Sequence, residues 1–459
     1  MALLPDATPR PDVTQNAAKQ SAHSPAQSSV ARYVELFSRF EREHPASSWL
    51  QNLRRESLRH FQKLGFPTVR DEEWKYTDIT PAANLIATPV FRADELNGNA
   101  QKISQQLPFG DILGHRLTFV NGHFSTELSR LETLGEGVTV ISLAAAFASE
   151  NEIVQEHFGK ILDAENETFA ALNTAFAQDG AFIQIGSNVQ LETPIHLLFL
   201  THGESASVSH PRNLILVGDG ASATIIETYA STGESVYFTN AITEIVAGRN
   251  ARVEHIKVQS ESEKAFHVGS LQIATSRDAN VRSHVVNFGG RIVRNNSTAV
   301  MGDEGCEVTL NGLVVGKNSQ HIDNHTTMDH AMPHCLSHEN YAHVLDDQSN
   351  GVFNGKIFVR LDAQKTDAKQ SNRTLLLSRD AQINAKPQLE IFADDVKCTH
   401  GATIGQLDDD ALFYLRARGI PEKQARAILI RAFANAALDG IPVEDLREKL
   451  EAILVTRLS

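Results

Sequence analysis

In the segment Asp395-Val-Lys-Cys-Thr-His-Gly-Ala-Thr-Ile-Gly405 a thiol and an imidazole stand two residues apart. The run reads as a strand, on which alternate side chains share a face. Cys398 and His400 therefore point the same way, with Cα atoms about 7 Å apart. Sulfur and nitrogen so placed suit a transition metal or an iron–sulfur species, but such sites normally take four ligands. No second Cys-rich motif supplies the rest. The pair is either structural, a packed thiol beside a hydrogen-bonded histidine, or part of a site that another chain completes.

A second group of metal-capable residues runs from His321 to His343 and includes Asp323, His325, Asp329, His330, His334, Cys335 and His338. Nitrogen-rich stretches can bind zinc, yet these intervals fit no closed tetrahedral site. They read as a polar loop whose histidines hydrogen-bond to the rest of the fold. The acid runs Asp394-Asp395 and Asp408-Asp409-Asp410 invite a glycosidase reading; a solvated strand end and a helix cap account for them as well. No Walker A loop and no Gly-x-Ser-x-Gly elbow occurs, so neither nucleotide hydrolysis nor serine-hydrolase chemistry is expected of this chain.

The elements that position these residues fall into three regions. From Val30 to Leu64 apolar residues recur at helical spacing: Tyr33, Leu36, Phe37 and Phe40, then Trp49, Leu53, Leu58 and Phe61 after a break at Pro45. Leu143 to Phe158 and Glu165 to Ala177 also read as helices. After Gly180, short Val-, Ile- and Thr-rich runs alternate with polar turns. Copies beginning at Gly186, Asp219, Arg249, Asp278 and Gly305, with a late restart at Asp380, lie about 30 residues apart. That period predicts a parallel β-helix, whose coils bury their inward side chains only by stacking. Beyond Asp408 the pattern is helical again, with Gly419-Ile-Pro421 between two helices and an apolar face of Ala425, Ile428, Leu429, Ala432, Phe433 and Ala436. The expected boundaries are a disordered tail over 1–30, a mainly helical domain over 31–178, the solenoid over 179–405 and a helical cap over 406–459.

Composition narrows the partners. A net charge of -14, with no basic stripe, argues against nucleic acid. The longest apolar run, near Ile195–Leu200, is too short for a bilayer. Cys306, Cys335 and Cys398 are odd in number and scattered, which suits a reducing, cytoplasmic setting. The first thirty residues lack the apolar core of a secretory signal.

Several ordered motifs resemble one family. Glu73-Trp-Lys-Tyr-Thr77, Gly351-Val-Phe-Asn-Gly-Lys-Ile-Phe-Val359, Ala363-Gln-Lys-Thr-Asp-Ala-Lys-Gln370, Pro387-Gln-Leu-Glu-Ile391, Lys397-Cys-Thr-His-Gly-Ala-Thr403 and Phe413-Tyr-Leu-Arg-Ala-Arg-Gly-Ile420 together resemble the SufB/SufD family of iron–sulfur cluster assembly. Within it the chain is more similar to the SufD branch. The SufB branch resembles Cys-Glu-His-Glu-Ala-Thr where this chain has Thr399 and Gly401 in place of the two acids.

The resemblance implies a right-handed parallel β-helix flanked by N- and C-terminal helical domains. It also implies a non-enzymatic scaffold subunit that pairs with a SufB-like subunit and docks a SufC-like ATPase; in isolation the chain would be a monomer or a homodimer. Neither nucleic acid nor membrane is implied as a partner. His400 and Cys398 would contribute to a transient iron–sulfur cluster shared with SufB, none being held tightly by the isolated chain. Phe413, Tyr414, Arg416, Arg418 and Gly419 would mark the ATPase-docking strip. Reduced flavin is associated with the assembled complex in this family, but no flavin motif is visible here. Two rivals stay open at this point: a structural subunit without metal contact, and a solitary β-helix enzyme acting on polysaccharide.

Overall fold

The computed structural model describes residues 25–89, 103–105 and 107–458. Most of the expected tail lies outside them. Helix α1 (Pro25–Glu43) already occupies its last residues and packs Tyr33, Phe37 and Phe40 inward. After Pro45 comes α2 (Ser48–Leu64), which buries Leu50, Leu58 and Phe61 and turns its Arg54 guanidinium onto the carbonyls of Ala177 and His44. Gly65, at φ 67°, closes α2 in a conformation that suits glycine. A single turn, α3 (Thr80–Ala83), follows the Glu72–Trp74 turn.

Among the described residues, four strands stand inside the segment expected to be mainly helical: Thr88–Pro89, His115–Val120, His123–Arg130 and Val138–Ser142. His115–Val120 and His123–Arg130 form a hairpin through Asn121-Gly122, both at positive φ, a local signal that the helical reading passed over. His115–Val120 also pairs in parallel with Ile195–Thr201, some 80 residues on, and that partner leaves no local trace in the sequence. The long helix expected over Leu143–Phe158 is two short ones, α4 (Leu143–Ala148) and α5 (Glu152–His157). Glu150 takes φ 51° between them, and the Asn151 side chain accepts the N–H groups of Ile153 and Val154 to start α5. Helix α6 (Thr168–Ala175) is buried throughout.

From Ala181 to Gly405 the chain winds a parallel β-solenoid of about 8 turns. Its strands alternate between two sheets, each strand pairing in parallel with the one a full coil later. The register carries through the coils: Ile245 lies beside Ile273, then Ala299, Met328, Ile357 and Leu389, all facing the lumen. The repeated polar turns form one corner. There Gly220, Asn250, Asp278, Gly305, His334 and Lys365 take positive φ, and each N–H reaches a carbonyl of the next coil. Two copies at this corner, at His334 and Lys365, escape the sequence echo. The restart at Asp380 belongs to the opposite corner, ahead of the strand Gln382–Ile391.

Helices α7 (Asp409–Ala417), α8 (Glu422–Leu438) and α9 (Glu444–Arg457) complete the fold. The inner face of α8 is Ala425, Ile430, Ala434 and Leu438, not the stripe expected from the sequence; Ile428 is 46% exposed. Of these, Ile430, Ala434 and Leu438, with Leu446, Leu450 and Leu454 of α9, cover Ile256, Val286, Leu313, Val315 and Val344 on the outer surface of the second sheet, the one that ends on Lys397–Gly405. At about 1.5–3 kcal/mol for each fully buried Leu or Ile, the cap is integral to the solenoid rather than an appendage.

Candidate functional site

Among the described residues, both sheets stop on strands with no further coil beyond them. The first ends on Gln382–Ile391 and the second on Lys397–Gly405, whose one partner among those residues is Asp367–Leu376. Lys397 donates its N–H to Thr366, so the main-chain groups of Cys398, His400, Ala402 and Ile404 point to the open edge. On the other edge Gln382 donates to Ser349, which aims residue 387 outward; that residue is a proline and offers no N–H. The second sheet therefore carries the better template for strand addition. Exposed Ile391, Phe392 and Ile404 ring the same end.

Cys398 and His400 sit on that last strand, in register with Ala368 and Gln370. Cys398 packs against the apolar lumen core, and strand alternation turns His400 to the same side. Both are accessible because no coil lies over them; they stand in the mouth of the solenoid. Burial pushes the Cys398 thiol up, and nearby Asp367 adds to this against the opposing Ala368 N–H. A ligand thiolate there needs a cation or metal brought to it. Among the described residues, no group of three or more His, Cys, Asp and Glu is arranged to hold a metal.

The lumen behind the mouth is polar, a feature that sequence reading missed. In register below His400 lie Gln370, Glu339, Leu310, Ser283 and His255. Gln370 donates to Glu339, whose carboxyl burial pushes up to about 7. Deeper, Glu227 accepts hydrogen bonds from Tyr229 (2.9 Å) and Thr243 (2.6 Å) and pairs with His255 at 3.1 Å. Lys257 bonds His267 and Asn295, each at 2.9 Å, and His267 meets Glu261 at 2.7 Å. Burial lowers Lys257 to about 8 despite the two carboxylates. Gly269 makes room for this head group, since a Cβ there would lie 2.1 Å from the Lys257 Nζ. The available signal was a polar residue at particular inward positions of an otherwise apolar alternation, such as Glu227 two after Ile225 and His255 two after Val253.

Glu339 makes stability depend on pH. Its folded form keeps a proton that the unfolded chain releases near pH 4, so stability falls as pH rises from there to about 7. Glu339→Gln is expected to match the wild type at pH 4 and to exceed it by on the order of 2 kcal/mol at pH 8. Thermal melts across that range check this; a gap independent of pH would contradict it.

The His321–His343 residues form no single loop. Most are split between the strands His321–His330 and Leu336–Leu345, on different sheets, and only His334 and Cys335 lie in the short turn between them. His330 and His343 point inward, on Ser337 and Asn372. His321, Asp323 and His325 point outward and clamp the N-terminal motif. The Thr77 hydroxyl bonds His321 (2.8 Å) and Asp323 (2.5 Å), Glu73 meets His325 at 3.3 Å, and Arg294 stacks on Trp74 at 4.5 Å while pairing with Asp323 at 2.6 Å. This cluster ties the N-terminal region to the solenoid.

The aromatic and basic strip lies on and after α7, which buries no residue. Phe413 is 73% and Tyr414 56% exposed; the Arg418 guanidinium stacks 4.4 Å from the Tyr414 ring, and Arg416 pairs with Glu422 at 3.3 Å. Gly419, at φ 87°, makes the turn into α8.

Comparison with known proteins covers nearly all of this architecture. Residues 199–433 match the model of the SUF system FeS cluster assembly SufBD core domain, and residues 27–197 that of the SufBD protein N-terminal region. An iron–sulfur cluster assembly SufBD family protein of Synechocystis is 35% identical over 89% of this chain and 91% of the relative. The iron–sulfur cluster assembly protein SufD of Escherichia coli is 31% identical over 88% of this chain and 92% of its own length. SufD of Bacillus subtilis is 27% identical over 92% and 96%.

Proposed function

Since the chain belongs to the SufBD family of iron–sulfur cluster assembly proteins and is SufD-like, we propose that it is the SufD-type scaffold subunit of a cytoplasmic SufBCD complex. The observation that carries this is the open end of the solenoid. Two unpaired edge strands, an apolar rim and a His–Cys pair meet at one surface, which fits a second β-solenoid docking end to end. A SufB-type subunit there would cover Ile391, Phe392 and Ile404 and complete the ligand set that His400 and Cys398 begin. The cluster is cargo, assembled across the junction and released, and this chain contributes ligands and shape rather than catalysis.

The SufC-type ATPase would dock on α7 and the outward stripe of α8. Interfaces favour aromatic and Arg anchors, and this exposed helix presents Phe413, Tyr414 and Arg418 together. Deleting the cap is a poor test, because it would uncover the second sheet. Phe413→Ala with Tyr414→Ala is expected to weaken ATPase recovery in a pull-down by about 10-fold or more, leaving the SufB-type partner bound. Wild-type recovery of the ATPase would place its surface elsewhere. Co-expression with SufB- and SufC-type proteins, followed by iron and sulfide analysis of the purified complex, tests the function as a whole. Failure to co-purify with either partner would overturn it.

A further inference from the structure

Two of the chain's three cysteines occupy successive positions in one lumen column, at the corner where the polar turns stack. The residues after those turns run Ala221, Ala251, Ala279, Cys306 and Cys335. The Leu336 N–H bonds the Cys306 carbonyl at 2.8 Å, and Glu307 is in register with Leu336, so the two cysteines are neighbours on consecutive coils. Paired strands lie about 4.8 Å apart, inside the Cα separation of roughly 4.4–6.8 Å that a disulfide spans. Both thiols lie against one carbonyl, with the Asp303 oxygen 3.1 Å from the Cys306 sulfur and 3.3 Å from the Cys335 sulfur. Both side chains are fully buried, beneath a corner whose turn residues Gly302, Met332 and His334 are exposed. The third thiol, Cys398, belongs to another column, beside Ala368 and then Ser337. Two sulfurs without a third ligand do not make a closed metal site, and among the described residues no group of three or more His, Cys, Asp and Glu is arranged to hold one.

We propose that Cys306 and Cys335 are an oxidative modification site, which a small hydroperoxide converts to an intramolecular disulfide between consecutive coils. The Cys306 thiolate attacks one oxygen of hydrogen peroxide and breaks the O–O bond, becoming a sulfenic acid as the other oxygen leaves as hydroxide, which takes up the proton Cys306 had released and becomes water. The Cys335 sulfur then displaces the sulfenic oxygen, which leaves as a second water carrying the Cys335 proton. Two thiols lose two electrons, and one peroxide becomes two waters. Cys306 is the first to react because the neighbouring Cys335 side chain holds its thiol down, while Cys306 pushes the Cys335 thiol up. Hydrogen peroxide is close to water in size and needs only local opening of the corner turns to enter.

The test is non-reducing peptide mapping of the folded full-length chain after graded hydrogen peroxide, with alkylation on unfolding. The expected result is loss of two of the three alkylatable thiols, recovery of one Cys306–Cys335 linked peptide pair, and reversal by dithiothreitol. In Cys335→Ser, dimedone should trap a sulfenic acid at Cys306. If that variant does not fold, the wild-type map decides alone. The proposal is overturned if Cys306 and Cys335 stay alkylatable where Cys398 is oxidised, if they pass to sulfinic acids without a link, or if the links join Cys398 or separate chains. Each of those results would rule out a disulfide between consecutive coils.

Discussion

Replacing His400 with Ala is expected to cut cluster yield from the reconstituted complex by about 10-fold or more while the complex still forms. His400 lies in the solenoid mouth, on an exposed strand with no coil beyond it. Removing its imidazole leaves no internal cavity, so stability should fall by no more than about 1 kcal/mol. Loss of a nitrogen ligand or proton carrier at the proposed junction has no such limit, because it acts on cluster assembly rather than on packing. Cys398→Ala should be milder: its thiol is held up by burial and packs partly into the lumen. Melting temperature, complex formation and cluster transfer to an acceptor protein, measured together, separate function from folding. A normal cluster yield from His400→Ala would favour a structural subunit without metal contact.

The second large effect is expected at the junction itself. Phe392 and Ile404 are 56% and 55% exposed at the end where both sheets stop. Phe392→Asp with Ile404→Lys would place charges where a docking solenoid must exclude water. Central apolar positions of an interface commonly account for 2 kcal/mol or more each, so the dissociation constant for the SufB-type partner should rise by about 100-fold or more. Both side chains are solvent-exposed in the single chain, and its melting temperature should stay near wild type. The same variant should keep its ATPase, which would dock on α7. Sedimentation or light scattering of the mixed subunits reads the first outcome, and unchanged affinity would move the partner surface away from the open edge.

The lumen and the cap show what lies between pattern and fold. A 30-residue echo of polar turns was enough to identify a β-solenoid, because each coil must repeat its turn chemistry and inward apolar positions. The polar lumen contents were hidden, since Glu227, His255, Lys257 and Glu261 become acceptable inside only when strands many residues apart bring their partners together. Helix α8 has apolar residues on more than one side. Only the second sheet decides that Ile430, Ala434 and Leu438 face inward and Ile428 outward. The strand at Val138 depends on a partner some 40 residues farther along the chain, whereas the hairpin at His115 carried a local Asn121-Gly122 signature that the helical reading passed over.

At the candidate site the division has the same cause. The two-residue spacing of Cys398 and His400 determined by itself that they share a face, because strand parity is a local property of the backbone. The family motifs likewise stand in the sequence alone. That the shared face is the lumen side, that the strand is the last one, and that its outward main-chain groups are unpaired were decided only by tertiary structure. The sequence had grouped His321 to His343 by proximity along the chain. Folding separates them by sheet and by face, since a coil of about 30 residues puts neighbours in sequence on opposite walls and makes neighbours in space of residues one full turn apart.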